Sequence, residues 1–358
     1  MQWLDKRTRT PTSVDSAAQE MAERRAGHAR ALRTLAAVEI SMQLLLWVCF
    51  GGYDRSAHTV WQPALLLALP LGLVCLVWLK AAPGLRTKAG KWLPLVLLPC
   101  LLGDGTLLLY ALTGLIDSMI PEYPFAVGAL AVTAVCWLTL LVSREKGVAY
   151  GVSVLKWALV LFFLLGTVLL NASRRADRLW PILGQGFKST LRSAVSGAGA
   201  TWGAALFFVL PKDERPAAKT CLWALIPWVL GAVWALWHGF LRPWTPGDAL
   251  SAGERVMGLA RHASGVINSQ LGALLWLAGG PAALCANALS AERIVHAALP
   301  RCPRALSSLA VLLPALICVV FFTPQLPQWL TAVLPWRVVI SLLAGSGLWL
   351  CAAKEAGK

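Results

Sequence analysis

From residue 35 onward the chain alternates long apolar runs with short polar, mostly basic stretches. A helix crosses the roughly 30 Å hydrocarbon layer of a bilayer in about 20 residues at about 1.5 Å rise per residue. Ten stretches reach that length or come close: Leu35 to Tyr53, Thr59 to Leu79, Trp92 to Ile116, Pro124 to Ser143, Gly147 to Leu170, Ser193 to Leu210, Thr220 to Leu241, Ala263 to Ser290, Ala305 to Phe322 and Gln328 to Cys351. Trp92, Trp180, Trp223, Trp244 and Trp329 mark span ends, as expected where an indole ring rests at headgroup level. The pattern predicts an all-α polytopic membrane protein with three parts: a cytoplasmic tail over 1–34, a ten-helix transmembrane domain over 35–351, and a short cytoplasmic tail over 352–358.

Lys and Arg set the orientation. Arg7, Arg9, Arg24, Arg25, Arg30 and Arg33 precede the first span, and the even-numbered connections carry Lys80 to Lys91, Arg144 and Lys146, Lys212 to Lys219, and Arg293, Arg301 and Arg304. The opposite connections hold Arg55, the acidic pair Asp117 and Glu122, and nothing basic between Phe322 and Gln328. Both termini are therefore expected in the cytoplasm. Arg174, Arg175, Arg178 and Lys188 break the rule; interleaved with Leu179, Trp180, Ile182 and Phe187, they read as an interfacial amphipathic helix against lipid headgroups. The first 30 or so residues read as a cytoplasmic tail, with a helix through Ser16 to Arg33, and not as a signal peptide.

Composition narrows the class further. The chain is 58% hydrophobic and only 14% charged, with a mean hydropathy of +0.65, outside the range of soluble domains. The net charge of +15 lies in short clusters between apolar blocks, a membrane-orientation pattern, so nucleic acid is not an expected partner. Nine cysteines without a CxxC pair read as small packing residues, and neither a zinc site nor a disulfide framework is indicated. The five histidines lack HExxH spacing, and neither a catalytic triad nor a phosphate-binding glycine loop can be assembled. No enzyme activity, metal or cofactor is expected.

Chemistry concentrates where the spans stop being uniformly apolar. In the sixth, Ser193 to Gly203 is small and polar, with Gly197, Gly199, Thr201 and Gly203 at its heart. Glycine there either lets the helix open and present its backbone to a cavity or lets helices pack closely through small residues. Gly51 and Gly52 interrupt the first span. Two glycine-interrupted segments, one opening each five-span half, predict a 5+5 inverted repeat with a broken sixth helix and a site near the midplane.

Ionisable residues inside spans are functional candidates. Asp104 stands between Gly103 and Gly105 in the third span, Lys156 near the centre of the fifth, and Arg337 in the outer half of the tenth, where it either snorkels or faces the site. Lys156 reads as a proton carrier, as a fixed charge where a sodium-coupled relative would hold its metal, or as half of a structural ion pair; Ser153 lies one turn before it. In the eighth span Asn268 and Gln270 are candidates for cavity lining, the remaining amides, Asn287 among them, read as interhelical contacts, and Pro281 should kink the helix. The expected substrate site comprises Gly51, Gly52, Asp104, Gly197, Gly199, Thr201, Gly203 and Asn268, with Lys156 and Ser153 for ion or proton coupling. A surplus of positive charge around it would suit a carboxylate ligand.

Three motifs resemble a known family. Ile40-Ser41-Met42-Gln43 is similar to an Ile-Ser-x-x-Gln entry to the first span, although one residue shorter. Ser56-Ala57-His58-Thr59-Val60-Trp61 resembles an Asp-Ala-Trp entry to the second, without the aspartate, and Arg178 to Gly186 resembles a Pro-x-x-x-x-Gly step before the sixth. Together with ten spans in 358 residues, they resemble the spore germination proteins of the GerAB type, permease-like subunits of nutrient germinant receptors within the amino acid, polyamine and organocation transporter superfamily. The chain departs from that pattern in a short Gly52 to Trp61 loop and in Ala204, where an acidic residue is usual. The resemblance implies a LeuT-like fold and residence in the inner membrane of a spore. It also implies a larger membrane subunit and a lipoprotein as partners, and an amino acid or similar nutrient as ligand. An autonomous proton-coupled amino-acid permease and a structural subunit with a decayed cavity are the competing readings.

Overall fold

The computed structural model describes residues 93–143 and 280–323 continuously, together with residues 21, 22, 187, 188 and 277 and scattered positions between 326 and 353. Four helices fill the two continuous stretches: α1 (Leu98–Met119), α2 (Phe125–Val142), α3 (280–298) and α4 (Arg304–Phe321). They lie in the third, fourth, eighth and ninth expected spans. α1, α2 and α4 are each long and apolar enough to cross a membrane, and the chain is an integral membrane protein.

Proline sets most of the helix ends. A 3₁₀ turn over Leu93–Leu97 leads into α1, and a proline in the first turn of α1 sits where a missing N–H is harmless. The helix closes with the Ile120 N–H on the Ile116 carbonyl at 2.9 Å, immediately before Pro121, whose ring disfavours helical backbone in the preceding residue. Pro124 and Pro303, both in extended backbone, cap α2 and α4. Their carbonyls accept the first helical N–H groups, Val127 at 2.9 Å and Leu306 at 3.0 Å. Pro314 lies inside α4 and removes one helical donor there.

Two expected boundaries shift. The third span was expected to end at Ile116, yet α1 runs to Met119 and takes Asp117 into its last turn. The eighth was expected to end at Ser290, yet α3 continues to residue 298. The continuation is stable because that segment is still inside the protein: Ala291 and Ile294 are fully buried and Glu292 is only 8% exposed. The turn from α3 to α4 is correspondingly short, with the Leu299 N–H on the Val295 carbonyl at 2.7 Å and the Cys302 N–H on the Leu299 carbonyl at 3.0 Å.

α1 packs against both α2 and α4, which also touch each other. α3 completes the cluster. A Cβ at Gly280 would overlap the Leu112 side chain of α1, so the two backbones approach as closely as a missing side chain permits. On the α2 side, the Cys136 thiol donates to the Pro281 carbonyl at 3.5 Å and the Cys285 thiol to the Cys136 carbonyl at 3.6 Å. Both cysteines are buried free thiols used for packing. Trp137 Nε1 donates to the Ala305 carbonyl at 3.4 Å and fastens α2 to the first turn of α4.

The first, second, fifth, sixth and seventh expected spans, the sixth-span break and the repeat relationship lie outside the described residues, as does most of the N-terminal tail. Met21 and Ala22 are helical, as are Phe187 and Lys188 in the expected interfacial segment. Trp329, Trp336, Val339, Ile340, Leu343 and Leu350 are helical positions within the tenth.

Candidate functional site

The polar step of α1 is Gly103-Asp104-Gly105. Successive residues are about 100° apart on a helix, so the two glycines face roughly opposite ways with Asp104 between them. Gly105 faces the neighbouring helices: a Cβ there would stand 2.8 Å from Val311 Cγ1 of α4, 3.5 Å from Asn287 Oδ1 and 3.7 Å from Leu284 Cδ1 of α3. At Gly103 no described atom lies within 4 Å of the Cβ position. Asp104 is only 2% exposed and is already engaged by a polar or electrostatic contact. Gly105 and Val311 lie about two turns inside their helices and Asn287 about three, a depth of roughly 10–15 Å from the helix ends. A carboxyl at that depth is costly unless a counter-charge or hydrogen bonds accompany it.

Most buried hydroxyls around this step are spoken for locally. Thr106 donates to the Leu102 carbonyl at 2.7 Å, Thr113 to Leu109 at 2.7 Å and Ser290 to Ala286 at 2.8 Å. Thr133 donates to Ala129 at 2.8 Å, and Ser307 and Ser308 donate to Arg304 and Ala305 at 3.0 Å each. Each satisfies its proton on its own helix, the usual habit of Ser and Thr in apolar surroundings. They are structural polar residues and not ligand donors in waiting.

Asn287 differs. It is 0% exposed, and neither its Nδ2 nor its Oδ1 has a hydrogen-bond partner among the described residues. Leaving a buried amide group unsatisfied costs about 1–3 kcal/mol per group, and the interhelical hydrogen bond expected of this residue is not made to any described residue. The one other orphaned buried polar side-chain atom among the described residues is His296 Nδ1, nearer the end of the same helix. Asn287 and His296 are nine residues apart, which puts them on opposite faces of α3 and makes them separate features.

Of the expected site residues, the described part of the molecule contains Asp104, which is buried. Gly51, Gly52, Ser153, Lys156, Gly197, Gly199, Thr201, Gly203 and Asn268 lie outside the described residues. Asn287 and Glu292 are the buried polar positions whose weight the sequence did not reveal. The available signal was an amide embedded in the alanine-rich run Ala282 to Ala291 and a charge directly after it, where small neighbours imply close helix approach.

No protein-family model matches the chain, and no curated protein matches it. Among solved structures it is similar to the manganese transporter of Eremococcus coleocola. A crystal structure of a mutant of that transporter aligns with TM-score 0.50 at 16% identity, covering 89% of this chain and 75% of that one. A second crystal structure, in complex with an aromatic bis-isothiourea substituted compound, gives TM-score 0.49 and 15% identity over the same shares. The first likeness is one of fold: the chain resembles a membrane transporter in the arrangement of its helices.

Proposed function

We propose that this chain binds a small nutrient, an amino acid or similar zwitterion, in an internal polar site, and does so as the permease-like subunit of a spore germinant receptor. The observation that supports ligand binding most directly is Asp104, a carboxyl 2% exposed in an apolar span, beside Gly103, whose Cβ position has no described atom within 4 Å. A carboxylate offers about four lone-pair sites, so an existing contact leaves it able to accept from the ammonium of a zwitterion as well. The receptor half of the proposal rests on the three motifs that resemble the germination proteins. It carries with it the larger membrane subunit, the lipoprotein, the inner spore membrane and cytoplasmic termini.

The likeness to a transporter favours a second reading, an autonomous proton-coupled amino-acid permease in which Lys156 cycles its proton. Manganese as cargo is not carried over, because 16% identity speaks to fold and not to substrate. Binding and uptake of labelled amino acids by the purified chain in proteoliposomes test both readings. A receptor subunit binds without sustained uptake, and Asp104→Asn weakens binding about tenfold or more, the equivalent of about 1.4 kcal/mol. Uptake driven by a proton gradient and abolished in both Lys156→Met and Lys156→Arg establishes the permease instead. Unchanged affinity in Asp104→Asn removes Asp104 from the site.

A further inference from the structure

We infer that the turn between α3 and α4 is a docking surface for the headgroup of an anionic phospholipid, held by Arg301 and Arg304. Both arginines are exposed, and three residues of chain keep their Cα atoms within about 11 Å of each other. A guanidinium stays charged throughout the physiological range and presents a planar fork of donors that matches phosphate oxygens. Within 280–323 the one acidic residue is Glu292, which is buried, so nothing in that stretch offsets the two charges at the surface. Backbone hydrogen bonds fix the turn: the Cys302 N–H bonds the Leu299 carbonyl, and the Leu306 and Ser307 N–H groups both bond the Pro303 carbonyl, each at 3.0 Å.

This turn lies at headgroup level. α4 has 18 residues, about 27 Å at about 1.5 Å per residue, close to the roughly 30 Å of hydrocarbon, so Arg304 at its start falls at the hydrocarbon edge. Trp137 marks the same level from α2 through its bond to the Ala305 carbonyl, and indole rings favour that depth. Beneath the turn, Leu306, Leu313 and Ile317 are exposed and fall on one face of α4, an apolar track for an acyl chain. Positive charge with this apolar face under it fits an amphiphile with an anionic head, whereas a soluble anion would use the charge alone. At the opposite end of the cluster, Asp117 and Glu122 give the α1–α2 turn the opposite sign. The inference is independent of the nutrient reading, since it requires neither binding nor transport of any solute.

Its test uses the whole chain in phosphatidylcholine bilayers holding a trace of photoactivatable phosphatidylglycerol or, separately, photoactivatable phosphatidylcholine, with the labelled peptides located by mass spectrometry. The expected result is labelling of 299–306 that is stronger with the phosphatidylglycerol probe and is competed away by unlabelled phosphatidylglycerol. Equal labelling by the two probes overturns the site, because apolar contact alone would then explain it. Arg301→Gln and Arg304→Gln should each weaken the competition about fivefold, and the two together about twenty-five-fold. Removing the same charge from the N-terminal segment, in Arg7→Gln/Arg9→Gln, should leave it unchanged. An equal loss there assigns the attraction to net charge and overturns the site, and so does displacement of the probe by inorganic phosphate as readily as by phosphatidylglycerol. If a glutamine variant fails to insert, the comparison of the two probes on the unmodified chain decides by itself.

Discussion

α1 and α2 are neighbours in sequence, joined by the short segment 120–124, and both are apolar enough to span a membrane, yet they are used in opposite ways. Within its span, 67% of α1 is buried, against 33% of α2. α1 is the helix around which α2, α3 and α4 assemble, and it can hold Asp104 because protein surrounds it on most sides. α2 buries one narrow face, including Gly128, Val132, Cys136 and Leu140, and turns Leu130, Val135 and Leu138 outward. α4 repeats the arrangement, with Val311, Ala315 and Val319 inward and Leu313, Ile317 and Phe321 outward. Charge and tight glycine contacts therefore belong to the α1–α3 seam, and bulky aliphatic side chains to the lipid-facing surfaces. In lipid there is little hydrophobic drive between helices, so close packing through small residues and polar contacts must hold the interior together.

This contrast is tested by substitutions of decreasing expected effect. Gly280→Leu drives a large side chain into Leu112 and is expected to destabilise by about 3 kcal/mol or to block folding. Unfolding in a detergent titration measures it, and a wild-type midpoint would show that α1 and α3 are not held in this contact. Gly105→Ala places a methyl group 2.8 Å from Val311 Cγ1, with an expected cost of about 1–3 kcal/mol. Val311→Ala in the same chain should recover much of that loss, and strict additivity of the two would disprove the contact. Trp137→Phe removes the hydrogen bond to the Ala305 carbonyl and is expected to cost about 0.5–1.5 kcal/mol, read as a small drop in Tm. Leu138→Ala on the lipid face should change stability by less than about 0.5 kcal/mol. A loss comparable to that of Gly105→Ala would mean that α2 packs against protein where lipid is expected.

Among the described residues, the sequence by itself determined that these segments are helical spans, and it determined the limits of two of them. A helix in hydrocarbon must satisfy its backbone internally over a fixed thickness, and the prolines at 121, 124 and 303 stop or start it locally, so α2 and α4 fall within one residue of their expected limits. Asp104 was legible too, because a charge between two glycines in an apolar run stands out without reference to any neighbour. The faces were not legible. Protein interior and lipid are about equally apolar, so nothing in the residue types separates buried Val132 and Leu140 from exposed Val135 and Leu138. The charged turn at Glu292 and Arg293 looked like a span end because its burial depends on α3 lying inside the cluster, which is a property of the assembled helices. Asn287 makes the same point most sharply. Its amide can be read from the chain, but whether that amide meets a partner depends on α1 presenting a glycine and α4 a valine at the same depth, and only tertiary packing brings those three positions together.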